Sequence, residues 1–168
     1  TYLLYSEEYA KRKDNKTYDG WKGLDPSVLP LIVRRAHAAG LRVSTHVETS
    51  ADFHNAAVAG VDEINHLPGF RPDRNDFANY ANLARYRISE SDAALAAQKH
   101  IVVVTTIGEA IDLTFDEKLD ERSRLAVRAM LIDNLNVLRK HRVSIAIGSD
   151  SLSTVPMDGS MVATVAGS

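Results

Sequence analysis

Cysteine is absent from the 168 residues. Disulfide bridges, thiolate zinc sites and cysteine nucleophiles are therefore excluded, while the compartment stays open. No run of about 18 apolar residues occurs, so no segment reads as a membrane-spanning helix. The opening stretch TYLLYSEEY has neither the basic region nor the small-residue cleavage site of a secretory leader. An excess of one charge is also missing. Twenty Lys and Arg against 22 Asp and Glu give a formal net charge of −2, and no basic stripe with interleaved aromatics offers a nucleic-acid surface. The basic clusters AKRK and VRRAH read as solvated helix faces. No glycine motif that cradles phosphate is present. GSDSL is not a Gly-x-Ser-x-Gly elbow, which removes a serine triad of that type. What is present is 45% hydrophobic and 25% charged, the balance of a globular α/β chain long enough to bury one substantial core.

From about residue 25 one grammar repeats: helix, Gly or short turn, apolar run, polar loop, helix. In LDPSVLPLIVRRAHAAG, Asp25 is a candidate N-cap with Pro26 at the first helical position. Leu29, Ile32, Val33 and Ala36 follow at helical spacing, and Gly40 closes the segment. LRVSTHV is then a strand, and SADFHNAAVAG a helix from Ser50 to Gly60 with Phe53, Ala56 and Ala57 on one side. VDEIN is a short strand. Ser89 and Asp92 form a capping pair for SDAALAAQK, and HIVVVTTI is a continuous β-branched run of the kind found in buried parallel strands. A long amphipathic helix from Asp120 to Lys140 carries Leu125, Val127, Met130, Leu131, Asn134, Leu135 and Leu138, and VSIAIGSD is the last clear strand. Strands alternating with helices predict βαβ units and a parallel sheet, hence an α/β fold.

Strand phase separates an open doubly wound sheet from a closed barrel. Val143, Ile145 and Ile147 alternate with Ser144, Ala146, Gly148 and Asp150, and Val43, Thr45 and Val47 alternate with Arg42, Ser44 and His46. One face is β-branched and suits packing under helices, whereas the other is small or polar and suits a crowded barrel interior. A doubly wound sheet would place apolar residues on both faces, so the reading is a partial (β/α)8 TIM-type barrel. About five strand signals occur where a whole barrel of roughly 250 residues has eight. The chain opens within the strand-like TYLLY and ends in VATVAGS without a clear final helix, so it reads as a portion of something larger.

Three polar residues end strands of this pattern: His46, His66 and Asp150, separated by 20 and 84 residues. In a parallel barrel the C-terminal strand ends converge on one rim, so such intervals are no obstacle to a shared site. Imidazole nitrogen and carboxylate oxygen suit a catalytic divalent ion such as zinc. The ion activates water, and a neighbouring carboxylate passes the proton to a leaving amine. The plainer alternative keeps each His as a hydrogen-bonded loop or core residue and Gly148-Ser149-Asp150 as a turn. His37, His54, His100 and His141 fall in or beside helices and take structural or surface roles.

At these residues the sequence resembles the metal-dependent amidohydrolase superfamily, most closely its imidazolonepropionase-related and Xaa-Pro dipeptidase-like branch. The matching segments are TYLLYSEEYAKR, LRVSTHVET, AGVDEINHLPGF, VVVTTIG and VSIAIGSDS. The resemblance implies that residues 1–168 are the C-terminal portion of one barrel domain, roughly strands 4–8, with the N-terminal part absent. His46 would end the fifth strand, His66 the sixth and Asp150 the eighth. It further implies His46, His66 and Asp150 as metal ligands, with Asp150 also shuttling the proton and His66 able to polarise the substrate carbonyl. The family's first-strand His-x-His pair has no counterpart, and Lys11 and Lys13 fall too late for its carboxylated lysine. The implied function is zinc-dependent hydrolysis of amide, cyclic amide or dipeptide C–N bonds with one or two ions. Activity would require the missing N-terminal half or another chain that completes the barrel. Tyr5 and Arg71 are the candidate contacts to a substrate carboxylate, each with a surface or packing role as its alternative. A non-catalytic α/β fragment, or a binding module whose histidines are structural, remains the competing reading.

Overall fold

A computed structural model describes residues 9–20, 22–69, 83–107 and 120–148. Helix α1 spans Tyr9–Arg12, and two 3₁₀ turns, Lys16–Tyr18 and Pro26–Val28, lead into α2, Leu29–Ala38. Then follow β1 (Ser44–His46), α3 (Ser50–Ala59), β2 (Glu63–Asn65), α4 (Glu90–Gln98), β3 (Val102–Thr105), α5 (Glu121–Lys140) and β4 (Ser144–Ile147). All neighbouring strands pair in parallel, in the order β1-β2-β3-β4. A doubly wound sheet reverses its order at a switch point, and no reversal occurs among the four described strands. The helices α2, α3, α4 and α5 touch one another in sequence order, forming one layer. The α/β prediction holds, and the single winding is compatible with an arc of a (β/α) barrel. The candidate strand TYLLY and the segment VATVAGS lie outside the described residues.

Local chemistry sets the helix starts. Asp25 accepts from Ser27 N at 2.9 Å at the 3₁₀ turn that leads into α2, and Ser89 from Asp92 N at 3.0 Å, so both predicted caps are in place; Asp120, ahead of α5, likewise accepts from Ser123 N at 2.8 Å. Helix α3 is capped by Thr49, whose side chain accepts from Asp52 N while the Asp52 carboxylate answers the Thr49 N–H. Ser50, the first helical residue, instead donates its hydroxyl to Arg85 O at 2.9 Å.

One side of the sheet holds the core. Val43, Val47, Ile64 and Val103 are buried against Leu29, Val33, Phe53, Ala56, Ala57, Ala93, Ala96, Val127 and Leu138, each large side chain contributing about 1.5–3 kcal/mol by leaving water. The buried alanines of α3 and α4 are the small members of this core. Two expectations fail. Leu125 is 58% exposed, because it precedes buried Val127 by two positions and thus points to the far side of α5. Ile145 and Ile147 are 38% and 51% exposed. β4 is the last strand of the described sheet.

Asn134 is the one buried polar residue on the core face of α5. Its Oδ1 accepts from Ile88 N and its Nδ2 donates to Tyr86 O, both at 2.9 Å, so the helix clamps the turn leading into α4. Asn134→Leu is expected to cost about 2 kcal/mol by orphaning a buried amide and a buried carbonyl, read as a lowered urea midpoint with unchanged slope.

The carboxylates of Asp25, Asp62, Glu90 and Asp120 are held below their ordinary range. The Ser27 contacts lower Asp25, Lys140 and then His141 lower Glu90, and the Ser123 amide and hydroxyl lower Asp120. Burial pushes Asp62 up, but the Val43 N–H, His37 and Arg42 together outweigh it and leave it lowered. A carboxylate depressed by folding stabilises the fold at pH above its unfolded value, about 3.9–4.3. That stability is lost as pH falls through the lower, folded value. Melting temperature is therefore expected to hold from neutral pH to about 5 and to decline below about 4; a scan of thermal melts over that interval checks it.

Candidate functional site

The polar side of the sheet is built by register. Ser44 pairs with Glu63 and His46 with Asn65 across β1 and β2, so these four side chains share a face. Asn65 Nδ2 donates to Ser44 Oγ at 2.6 Å, and Ser44 Oγ donates to Glu63 Oε1 at 2.9 Å. The face continues onto β3 and β4 through Val102, Val104, Ser144 and Ala146. On β1 and β4 it is the small or polar surface that strand phase predicted, while β3 contributes two valines to it.

At the C-terminal end of this face the backbone ladder runs on past the strands. Val47 N donates to Asn65 O, His66 N to Val104 O and Gly148 N to Thr105 O, at 3.2, 2.9 and 2.8 Å. Gly69 N reaches Glu48 O at 3.0 Å, tying the loop after β2 to the loop after β1. The rim is thus fixed by main-chain bonds on both sides of the two histidines.

His46 ends β1 half-buried, and His66 follows β2 at 3% exposure. The Nδ1 of His46 lies 2.6 Å from the Nε2 of His66, with ring centroids 4.8 Å apart and planes inclined at 40°. His66 adopts φ +77°, a left-handed conformation that costs a non-glycine residue about 1–2 kcal/mol. By breaking strand alternation, that turn swings the ring sideways over the strand ends. Its Nδ1 comes within 2.8 Å of Thr106 Oγ1 at the end of β3. Strain of this sort persists where surrounding contacts over-determine it, often at functional sites.

His46 and His66 are therefore brought together as the sequence suggested. Asp150, Tyr5 and Arg71 lie outside the described residues. Among the described residues no three His, Cys, Asp or Glu side chains gather as a metal-holding group. Two convergent imidazole nitrogens, with the far nitrogen of one ring on a hydroxyl, are a donor set that suits zinc chemically. An ion with bonds of about 2.1 Å at the tetrahedral angle separates two nitrogens by about 3.4 Å, so the rings would have to part slightly to accept one.

Sequence reasoning missed Thr106, Glu48 and Asp52. Thr106 had a signal, since it is a polar residue immediately after the run VVVT at the same rim. Asp52 had one as well, the Thr-x-x-Asp spacing from Thr49. Glu48 is buried in the loop two residues past His46, and nothing in its neighbourhood in sequence marks it. Three of the other histidines take structural roles, as expected: His37 bonds Asp62 at 2.9 Å, His54 bonds Asp92 at 2.7 Å and His141 bonds Glu90.

No protein-family model and no curated protein matches the sequence. Solved structures do match it. A prolidase crystallised with N-methylphosphonate-L-proline aligns at a TM-score of 0.50 with 21% identity, over 79% of this chain and 29% of that one. An amidohydrolase structure aligns at 0.50 with 22% identity, again over 79% and 29%. The fold of this chain is thus shared with prolidase and amidohydrolase structures, as the resemblance implied, and the chain spans under a third of their length.

Proposed function

We propose that the chain is the C-terminal portion, about strands 4–8, of a (β/α)8 barrel hydrolase that cleaves amide, cyclic amide or dipeptide C–N bonds with a divalent ion, zinc by preference. The observation that carries the reading is the meeting of two imidazoles. They stand 20 residues apart in sequence and 2.6 Å apart at the ends of adjacent parallel strands. The strained φ of His66 and the fold shared with prolidase and amidohydrolase structures support the same reading.

His46 Nδ1 and His66 Nε2 would hold the ion. When bound, it supplies Lewis acidity that polarises a carbonyl and activates water. Asp150 is assigned the carboxylate that takes a proton and delivers it to the leaving nitrogen. Tyr5 and Arg71 are assigned contacts to a substrate carboxylate, which orient the scissile bond. Further ligands come from the N-terminal part of the barrel, so this chain alone is expected to hydrolyse nothing.

The 2.6 Å separation favours a second reading, a neutral ring-to-ring hydrogen bond that merely clasps β1 to β2. Zinc titration against a chromophoric chelator separates the two. One ion should bind the full chain, and the double variant H46A/H66N should bind at least about 100-fold more weakly, beyond what loss of an outer partner produces. Equal binding by the double variant would leave only the clasp.

A further inference from the structure

We propose that Thr106 is a positioning residue for His66: its hydroxyl oxygen accepts the Nδ1 proton of that ring and leaves the Nε2 lone pair directed at His46. The role in metal binding rests on the function proposed above, whereas the proton placement is a property of the chain by itself.

Thr106 and His66 are 4% and 3% exposed and 40 residues apart, so neither polar group can rely on bulk water. Both the backbone and the ring of His66 are tied to the β3 end. Its N–H donates to Val104 O at 2.9 Å, and its Nδ1 lies 2.8 Å from Thr106 Oγ1. A neutral imidazole has one donor and one acceptor. With the proton on Nδ1, Thr106 accepts it and Nε2 faces His46 Nδ1 as an acceptor across 2.6 Å. With the proton on Nε2, Thr106 must donate, and the nitrogen aimed at His46 carries a hydrogen that blocks any ion. Only the first placement makes His66 a ligand, and a partner on the far nitrogen is the usual means of enforcing it. A β-branched residue suits the task because its χ1 is restricted, which holds Oγ1 in one direction.

The test is the long-range nitrogen–proton NMR spectrum of the ¹⁵N-labelled full chain without metal, at mildly alkaline pH. His66 should show protonated Nδ1 and bare Nε2 in the wild type and in Thr106→Ser, and a changed or averaged pattern in Thr106→Val. Chelator competition with zinc should give about a 10- to 100-fold weaker affinity for Thr106→Val and near wild-type affinity for Thr106→Ser. A wild-type spectrum with protonated Nε2, or an identical spectrum in Thr106→Val, overturns the proposal. If Thr106→Val does not fold, the wild-type spectrum alone decides. A wild-type chain that binds no zinc while showing protonated Nδ1 upholds the positioning role and refutes the metal reading instead.

Discussion

Asp52→Ala is expected to lower the melting temperature by about 6–12 °C, from a loss of about 3 kcal/mol at roughly 2–4 °C per kcal/mol for a chain of this size. The carboxylate is fully buried. Its Oδ2 accepts from Glu48 N at 3.1 Å and Thr49 N at 2.9 Å, while Asp52 N donates to Thr49 Oγ1 at 3.2 Å. Removing it strands two buried amides, each worth about 1–3 kcal/mol, and ends the reciprocal cap of α3, worth about 1 kcal/mol. Partial relaxation of the loop brings the sum back to the figure given. Asp52→Asn keeps an acceptor oxygen and should fall between the two. The stranded amides belong to the residues immediately beyond His46 and Val47, so zinc affinity should weaken along with stability. Differential scanning fluorimetry measures the shift; a change no larger than that of a surface substitution would show that water replaces the carboxylate at no cost.

Gly69→Ala is expected to be nearly as damaging, by about 2–4 kcal/mol. Gly69 has φ +87°, and a Cβ built there meets Met130 Cε at 2.7 Å and Tyr86 Cβ and Cγ at 3.2 Å. The left-handed backbone costs about 1–2 kcal/mol once a Cβ is present. Met130 has a mobile end, but it is buried with Tyr86, so it can yield only by overpacking the core, typically about 1–3 kcal/mol. The N–H of Gly69 bridges to the loop after β1 through Glu48 O. Displacing it should therefore also separate the two histidines. Equilibrium urea unfolding should show the lower midpoint, and chelator competition a weaker zinc complex; an alanine variant as stable as wild type would mean that the turn re-forms in another geometry.

Helices were legible because their causes are local. Asp25 and Ser89 announce their helical segments by side chains that reach only two or three residues onward, and periodicity finds Val127, Met130, Leu131 and Leu138 without knowledge of any partner. Strand faces were legible for the same reason in β1, where Val43, Thr45 and Val47 alternate with Ser44 and His46. The same alternation misjudged Ile145 and Ile147, since burial depends on what lies above a strand as well as on its own phase. Leu125 failed because a list of apolar residues in a helix does not specify which of them share an azimuth.

The amino-acid order alone set the α/β class, the caps at Asp25 and Ser89, the phase of the first strand and the suspicion that His46 and His66 serve one rim. These follow from nearest-neighbour sterics and from repeats of 2.0 and 3.6 residues. The tertiary structure decided that the two rings touch, that His66 turns through a left-handed backbone to do so, and that Thr106 and Gly69 hold the arrangement. Such facts depend on residues some 20 to 60 positions apart being stacked by parallel pairing, and pairing between distant segments leaves no period in the chain that forms it.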